Sequence, residues 1–332
     1  MLPAWRTANL YDWQTMTAGS RLTARPLGPD DTALALHAVG AVQPHHPWTE
    51  RELLLHWRTS ERMGRIRNLA VDDAGQTAGW VSASKWDTAP QDEGRVWVFV
   101  PGAAGDRLDQ AWALVEETAR DLGVRLGRAA IWEDDDATLD VLRRRGWERV
   151  RKERFWRLEL AGQGERLTAL RDAARRRVEA AGLRVASAAE LGGEAVFPDL
   201  HRLEDVTAED IPRDLPHVSV PYDTWLEWMR PPGVFTDRVW IATSDGRPVG
   251  VSYLDYGGTP VTTAYTGVLR EHRGAGVARA LKLETVVQAV ALEVVAVETD
   301  NDSANAPILH LNEEMGYREI AGLVKLHKGL HA

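Results

Sequence analysis

Cysteine is absent from the 332 residues of this chain. Its absence excludes disulfide bonds, thiolate metal sites and a cysteine nucleophile, and we expect no bound metal. An excess of positive charge is also lacking, because 40 basic residues stand against 49 acidic ones and give a net charge of -9. Such a charge repels a phosphate backbone, so we expect no nucleic-acid partner.

Long apolar runs are missing as well. No segment approaches the roughly 20 apolar residues that a membrane span needs. The first nineteen residues include Trp5, Arg6 and Asp12 and lack the continuous apolar stretch of a signal peptide. We therefore expect a cytoplasmic protein without a membrane partner, and a short arm at residues 1–20.

The length suits two domains of about 160 residues, each large enough to bury its own core. A charged, helix-prone stretch at residues 166–181 ends at Gly182, which is typical of a linker helix. We interpret its basic run, Arg175 to Arg177, as a solvated face. The predicted division is an arm at 1–20, a first domain at 21–160, a linker helix at 161–184 and a second domain at 185–332.

Apolar periodicity predicts a β-meander in the second half, followed by alternating helices and strands. A helix after the meander has apolar residues at i, i+3, i+4 and i+7, which predicts one buried stripe. The predicted elements are strands at 239–243, 249–256 and 261–269, a helix with Leu283, Val286, Val287 and Val290, a strand at 294–299, a helix from Pro307 and a strand near Tyr317.

The first half repeats this order of elements. Strands are predicted at 68–71, 78–84, 96–100 and 129–133, with a helix from Arg107 between the last two and another helix and strand after them. We interpret the chain as a duplication, with chance agreement as the alternative. Glycines at matching places recur 170 or 171 positions later, Gly75 as Gly246, Gly79 as Gly250 and Gly146 as Gly316.

The most informative segment runs from a predicted strand through a tight loop into a helix. A helix start leaves backbone N–H groups unpaired and carries the positive end of the helix dipole. Gly274 and Gly276 allow a phosphate to approach that backbone, Arg273 adds a positive charge, and small Ala278 leaves the first turn open. The segment therefore predicts a diphosphate site.

Two other phosphate loops do not fit this segment. A P-loop would need Gly-Lys-Ser/Thr, and a dinucleotide fingerprint would need glycine or alanine where Arg279 stands. The remaining alternative is that the two glycines only form a tight turn between a strand and a helix.

Residues Arg273 to Ala278 resemble the Arg/Gln-x-x-Gly-x-Gly/Ala motif of the GNAT superfamily of N-acetyltransferases. The stretches 299–305 and 312–317 resemble the asparagine loop, helix and Gly-Phe/Tyr strand start of the same family. Over the whole chain, the pattern is similar to tandem GNAT proteins, an architecture also known from mycothiol synthase. The resemblance implies an α/β class with a mixed sheet, formed by two tandem GNAT folds.

The resemblance also implies acetyl-CoA as cosubstrate, with its pantetheine arm in a gap between the fourth and fifth strands. The backbone of Val268 would pair with that arm. Asn305 would hydrogen-bond the pantetheine or the nucleotide, or would only cap the following helix. The residues expected to contact the cofactor are Val268, Leu269, Arg273, Gly274, Ala275, Gly276, Val277, Ala278, Asn305 and Asn312.

The first half departs from the motif. Its corresponding loop at residues 100–107 has no arginine before the glycines and places Asp106 at the helix start, where a carboxylate would repel pyrophosphate. We interpret residues 21–160 as a degenerate copy. Eleven of the 14 tryptophans lie in residues 1–160, and they either fill the core or also plug a former CoA cleft, as Trp97 on the strand before the altered loop suggests.

Acetyl transfer to an amine needs an oxyanion stabiliser and a proton source for the departing thiolate. The backbone N–H near Val268 can be the stabiliser. Many family members have a tyrosine that acts as general acid seven residues after the loop asparagine, where this chain has Asn312. Some have a glutamate at the position of Thr262. Among Glu204, Tyr265 and Asp255, we choose Glu204 as a base acting through water and Tyr265 as a proton donor or acceptor-positioning group, with structural roles as the alternative.

We expect the acceptor side at residues 203–228, whose excess of acids hints at a cationic acceptor. The functional hypothesis is direct transfer of acetyl from acetyl-CoA to a primary amine of a small molecule or peptide, in a ternary complex at the second domain. The alternative is a non-catalytic CoA-binding or regulatory module. The protein would be a monomer or a homodimer. The acidic residues that suggest a cationic acceptor at residues 203–228 are Glu204, Asp205, Glu209, Asp210 and Asp214.

Overall fold

A computed structural model describes residues 22–213 and 215–331 of the chain. The predicted arm at 1–20 and Asp214 lie outside the described residues. The strands are β1 (Thr23–Pro26), β2 (Gly64–Asp73), β3 (Gln76–Trp86), β4 (Glu93–Phe99), β5 (Leu126–Trp132), β6 (Glu148–Glu159), β7 (Arg184–Ser187), β8 (Val239–Ser244), β9 (Arg247–Asp255), β10 (Val261–Val268), β11 (Ala296–Asp302) and β12 (Arg318–Gly329). The helices are α1 (Thr32–Val42), α2 (Glu50–Met63), α3 (Gly105–Asp121), α4 (Asp136–Arg144), α5 (Gly164–Ala180), α6 (Phe197–Ala208), α7 (Tyr222–Trp228), α8 (Val277–Ala291) and α9 (Ala306–Met315).

The predicted strands and helices are confirmed to within a few residues, and the two halves share one order of elements. Local backbone chemistry explains this agreement. Gly75 and Gly246 turn their hairpins with φ of 82° and 77°, and Gly146 and Gly316 end α4 and α9 with φ of 80° and 94°. Positive φ is unfavourable for residues with a Cβ, so these glycines end elements at equivalent places in both halves.

All twelve strands form a single mixed sheet in the order β1-β2-β3-β4-β5-β12-β6-β11-β10-β9-β8-β7. The last strands of the two halves are therefore exchanged. β12 lies antiparallel between β5 and β6, while β6 lies antiparallel between β12 and β11. Each half completes its sheet with the final strand of the other.

The exchanged strands also complete the cores of the opposite halves. Leu326 and Leu330, at the end of the chain, pack into the first-half cluster around α3 and α4. Trp156 and Leu158 of β6 pack into the second-half cluster around α8 and α9. Neither half could be cut out at residue 160 without losing a strand from both its sheet and its core, so binding experiments require the full chain.

The linker helix α5 packs against α8 and widens the buried surface of that helix beyond the predicted stripe. Glu284 of α8 is only 1% exposed in its side chain and accepts hydrogen bonds from Arg171 (3.2 Å) and Arg175 (2.7 Å) of α5. The guanidinium of Arg175 also lies 5.7 Å from the ring centre of Trp240. The expectation that Arg175 belongs to a solvated face is therefore wrong, because a buried carboxylate draws it inward.

The sheet opens at the same place in both halves. β10 and β11 pair in parallel only at Val261–Val297 and Thr262–Glu298, and β4 and β5 pair only from Glu93 to Arg95. Beyond these pairs the strands separate, which is the predicted splay between the fourth and fifth strands of each half. None of the described helices has the length and apolar character to cross a membrane.

Candidate active site

The predicted diphosphate site at residues 273–278, called the cradle from here on, leads into the start of α8. Gly274 and Gly276 have φ of 79° and 88°, which residues with a Cβ rarely adopt. The first helical hydrogen bond runs from the N–H of Ala280 to the carbonyl of Gly276 at 3.0 Å. The preceding amides of this turn therefore have no acceptor within the helix, as a site for an anion requires.

The guanidinium of Arg273 is held beside this helix start by two contacts. Its Nε donates to the carbonyl of Val268 at 3.0 Å, and an Nη donates to the carboxylate of Asp210. Asp210 also accepts two hydrogen bonds from Nε of Arg270, at 2.8 and 3.0 Å. The Arg270 and Arg273 guanidiniums lower the pKa of Asp210 to about 2, so this carboxylate is charged at neutral pH.

Val268 has the backbone orientation that its predicted role requires. The N–H of the next residue, Leu269, donates to Val249 of β9 at 2.9 Å. Because successive N–H groups of a strand point to opposite sides, the N–H of Val268 points toward the gap between β10 and β11. Leu269, Ala275 and Ala278 are partly buried against the second-half core, and Val277 is fully buried in it.

A second guanidinium lies at the cradle, where none was expected from the sequence. Arg177 of α5 donates from Nη2 to the carbonyl of Gly274 at 3.3 Å. Its Cδ and Nε lie 3.6 Å from the position that a Cβ on Gly276 would occupy. The sequence signal for this contact was the basic run from Arg175 to Arg177, which we interpreted as a solvated face. Only the packing of α5 on α8 shows that one of its members reaches the loop.

The two predicted asparagines lie in different environments. Asn305 is half-buried at the N-cap of α9, and its side chain makes no capping hydrogen bond there. Asn312 is 0% exposed, accepts from Nζ of Lys282 at 3.0 Å and donates to Oδ1 of Asn301 at 2.7 Å. Both polar atoms of its side chain are thus used internally, so the structure does not bring Asn312 to the cofactor as predicted. Burial also lowers the pKa of Lys282, to about 8.

A cavity of about 660 Å³ lies between the two halves, and Tyr265 of β10 lines it. The Tyr265 hydroxyl lies 2.8 Å from Oγ1 of Thr207 and 3.1 Å from the backbone carbonyl oxygen of Glu204. Burial raises the pKa of Tyr265 above its usual value, so the phenol is neutral at physiological pH. The hydroxyl donates a hydrogen bond to the Glu204 carbonyl and belongs to a residue of the cavity wall.

Glu204 lies on α6 but its carboxyl group does not line that cavity. Its Oε2 accepts from Nε1 of Trp225 at 2.8 Å and from the hydroxyl of Tyr253 at 3.2 Å, while Oε1 is buried and lacks a partner among the described residues. Burial raises the pKa of Glu204 to about 7. The structure thus separates the predicted base from Tyr265, the predicted donor, by enclosing it in the core.

The buried Glu204 predicts a specific dependence of stability on pH. Its pKa is higher in the folded than in the unfolded protein, so its favourable contribution is complete below pH 4.5 and is lost as pH rises through about 7. We expect the free energy of unfolding of the wild type to fall, relative to Glu204→Gln, by roughly 2–3 kcal/mol between pH 5 and pH 8. Urea unfolding of both proteins at several pH values measures this difference, and parallel pH profiles would contradict the assignment.

The acids that suggested a cationic acceptor are mostly engaged elsewhere. Glu204 is enclosed in the core and Asp210 binds two arginines at the cradle. Asp205 lies 2.8 Å from Nε2 of His217, whose Nδ1 lies 2.8 Å from the guanidinium of Arg213. Paired carboxylates leave little free negative charge for a ligand, so the composition of residues 203–228 does not indicate a cationic acceptor.

Asp255, the remaining catalytic candidate from the sequence, is also paired. Its carboxylate accepts a hydrogen bond from Arg51 of α2 at 2.7 Å and another from the N–H of Gly257 at 2.6 Å. Arg51 belongs to the first half of the chain, so this ion pair joins the halves. A structural role accounts for these contacts.

The corresponding gap of the first half is only partly filled. A pocket of about 20 Å³ between β4 and β5 is lined by Trp97, Trp112 and Trp132 among others, and residues of both strands also line the cavity of about 660 Å³. At the start of α3, the guanidinium of Arg107 lies 2.7 Å from Asp73 and is neutralised by it. Trp80, Trp132 and Trp147 are each at most 5% exposed, which confirms their predicted place in the core.

Solved structures of tandem GNAT proteins match nearly the whole chain. A tandem GNAT protein from the clavulanic acid biosynthesis pathway, solved without acetyl-CoA, superposes with a TM-score of 0.70 over 94% of this chain and 99% of its own, at 20% identity. The chain has a tandem GNAT fold. A GCN5-related N-acetyltransferase from Sphaerobacter thermophilus also has this similarity, with a TM-score of 0.67, 17% identity, and coverage of 95% of this chain and 98% of that one.

A further match is a glucosamine N-acetyltransferase region of a fungal multi-domain GH3 β-N-acetylglucosaminidase. It has a TM-score of 0.68 and 12% identity, and the match covers 94% of this chain but 38% of that longer one. No protein-family model matches the sequence, and no curated protein matches it. The tandem GNAT fold therefore rests on the three-dimensional comparison, at identities that establish the fold alone.

Proposed function

We propose that the protein is an acetyl-CoA-dependent N-acetyltransferase whose second half is active. The observation that carries this proposal is the start of α8, where unpaired amides, two left-handed glycines and Arg273 meet beside the open gap between β10 and β11. A diphosphate fits such a site through the helix dipole and the guanidinium. Bound acetyl-CoA would supply an activated acetyl thioester next to the cavity that Tyr265 lines.

In this proposal the acceptor amine occupies the cavity between the halves and transfer is direct, in a ternary complex. The amine nitrogen bonds to the acetyl carbon, the C–S bond breaks, the amine proton passes to solvent in the cavity and the thiolate takes a proton. The N–H of Val268 would stabilise the oxyanion, and the neutral hydroxyl of Tyr265 would donate the proton. Glu204 would act indirectly, by holding the neighbouring residues of α6 and β9 in position.

The first half would not use acyl-CoA. Its loop at residues 100–107 has no arginine before the glycines, and Trp97, Trp112 and Trp132 occupy part of its gap. We therefore expect one acetyl-CoA per full-length chain, which titration calorimetry measures directly. The division into an arm, a degenerate copy, a linker helix and an active second domain is part of this proposal, with each copy borrowing the last strand of the other.

Arg177 gives a prediction on the cradle itself. Because its guanidinium lies over the glycine loop, we expect Arg177→Ala to weaken acetyl-CoA binding threefold to tenfold, about 0.6 to 1.4 kcal/mol, with less effect at high salt. Arg176→Ala is the matched control, since its exposed side chain is a neighbour on the same helix. Equal affinities of the two variants in calorimetry would rule out the role.

The second candidate is a non-catalytic CoA-binding module. One observation favours this module. Asn312 occupies the position at which many family members have a tyrosine that acts as general acid, and its side chain is buried and bound to Lys282. A thiol-release assay with acetyl-CoA and a panel of primary amines separates the candidates. Binding of acetyl-CoA without acetylation of any amine would support the module and contradict the enzyme.

A further inference from the structure

The cavity that contains Tyr265 is bounded on its opposite side by the first half of the chain. Arg95 lies in this wall, on β4, at the last residue pair before β4 and β5 separate. The same side chain also lines a second cavity of about 360 Å³ beside α2. Arg95 therefore stands at the junction of two open spaces.

The guanidinium of Arg95 makes no hydrogen bond or ion pair with any residue that the structure describes. Its one specific contact is with the indole of Trp86, whose ring centre lies 5.5 Å away. The Arg95 side chain is exposed to the solvent that fills these cavities, so its positive charge is accessible to a ligand there.

Each of three carboxylates of the cavity wall makes an ion pair with a cation other than Arg95. Their N–O distances lie between 2.6 and 2.9 Å. Among the described residues, Arg95 is therefore a cation of the wall without an ion pair of its own. The pairs are Glu93 with Arg128, Glu153 with Lys325 and Asp302 with Arg151.

His56 provides a second unused polar group beside Arg95. Its Nε2 is buried and has no hydrogen-bond partner among the described residues, and its ring packs edge-on against Trp97 at 4.6 Å. Burial, with a smaller effect of Arg95, lowers the pKa of His56 to about 4, so the ring is neutral at pH 7. His56 therefore adds no second charge to the wall, and Arg95 is the charged group of this pair that can meet a ligand.

We propose that the acceptor carries a carboxylate as well as its amine, and that Arg95 binds this carboxylate in the cavity. This inference rests on the proposed acetyl transfer, which places the amine near Tyr265 in the same cavity. A carboxylate matches a single guanidinium in charge and in its two-pronged geometry, whereas a phosphate dianion would call for further free cations. The substrate class is thus amino acids or peptides with a free carboxyl group.

The test compares amino acids and dipeptides with their own carboxamides as acceptors. With the wild type we expect kcat/KM to be at least tenfold higher for the free acids. In Arg95→Gln this preference should shrink to about twofold, through a higher KM with little change in kcat and with the carboxamides unaffected. Arg95→Lys should retain part of the preference, and Arg144→Gln, an exposed arginine on α4, should retain all of it.

A stability measurement separates a ligand-binding arginine from a structural one. Because the Arg95 side chain is exposed and makes no hydrogen bond with a described residue, Arg95→Gln should keep its melting temperature within about 2 °C of the wild type. A structural arginine would instead lower it when replaced. Unchanged acid preference in Arg95→Gln, or a lower melting temperature with preference lost, overturns the proposal.

The outcome stays informative if no amine is acetylated. In that case thermal shifts with the same free acids and carboxamides measure binding alone. Stabilisation by acids but not by carboxamides, lost in Arg95→Gln, would support the carboxylate site while the proposed acetyl transfer fails. Equal shifts for acids and carboxamides would overturn the site itself.

Discussion

Arg273→Glu should lower the affinity for acetyl-CoA by about 100-fold or more, roughly 3 kcal/mol at low salt. The change removes the guanidinium that Asp210 and the carbonyl of Val268 hold at the start of α8, and it places a carboxylate there instead. The positive end of the helix would then act against a neighbouring negative charge. Titration calorimetry with the full-length chain measures both the affinity and the expected single site.

Two further variants make this result specific. Arg273→Gln avoids placing a new carboxylate next to Asp210 and should lower the affinity about tenfold, since it removes one charge without repulsion. Arg144→Glu changes the net charge of the chain by the same amount as Arg273→Glu but lies exposed on α4, so its affinity should stay within twofold of the wild type. If Arg273→Glu bound acetyl-CoA like the wild type, the diphosphate site would have to be elsewhere.

Tyr265→Phe should reduce kcat about 100-fold while leaving the binding of acetyl-CoA within twofold. In the proposed mechanism the neutral hydroxyl of this cavity residue donates the proton, and general acid catalysis contributes about 10² to 10⁴ in rate. Losing the hydrogen bonds of this hydroxyl with Thr207 and with the Glu204 carbonyl should cost on the order of 1 kcal/mol of stability, which is too little to unfold the chain. Steady-state kinetics at saturating acetyl-CoA measures the effect.

Glu204→Gln is the companion variant. Because its carboxyl group contacts Trp225 and Tyr253 and not the cavity, we expect kcat to fall by less than tenfold. A loss as large as that of Tyr265→Phe, together with the disappearance of a pH-rate limb near 7, would make Glu204 the base that the sequence suggested. Wild-type turnover in both variants would contradict a catalytic role for either residue.

Asn312 and Arg177 show how far sequence reasoning reached at the site. The motif from Arg273 to Ala278 could be identified because its function depends on local backbone freedom at Gly274 and Gly276, which sequence specifies directly. The environments of Asn312 and Arg177 depend on which helix packs on which. The sequence spacing predicted Asn312 at the cofactor and Arg177 in solvent. In the folded chain, packing buries Asn312 and brings Arg177 to the glycine loop.

The order of elements, its repetition in the two halves and the glycine turn at residues 273–278 were determined by the sequence alone, because periodicity and glycine positions act over a few residues. The tertiary structure decided the exchange of β6 and β12, since two similar last strands can each pair with either fifth strand and only the final packing selects one arrangement. It also decided which charges are compensated. Ion pairing joins residues far apart in the chain, so only the folded protein shows Glu204 enclosed in the core and Arg95 without a counterion in a cavity between the halves.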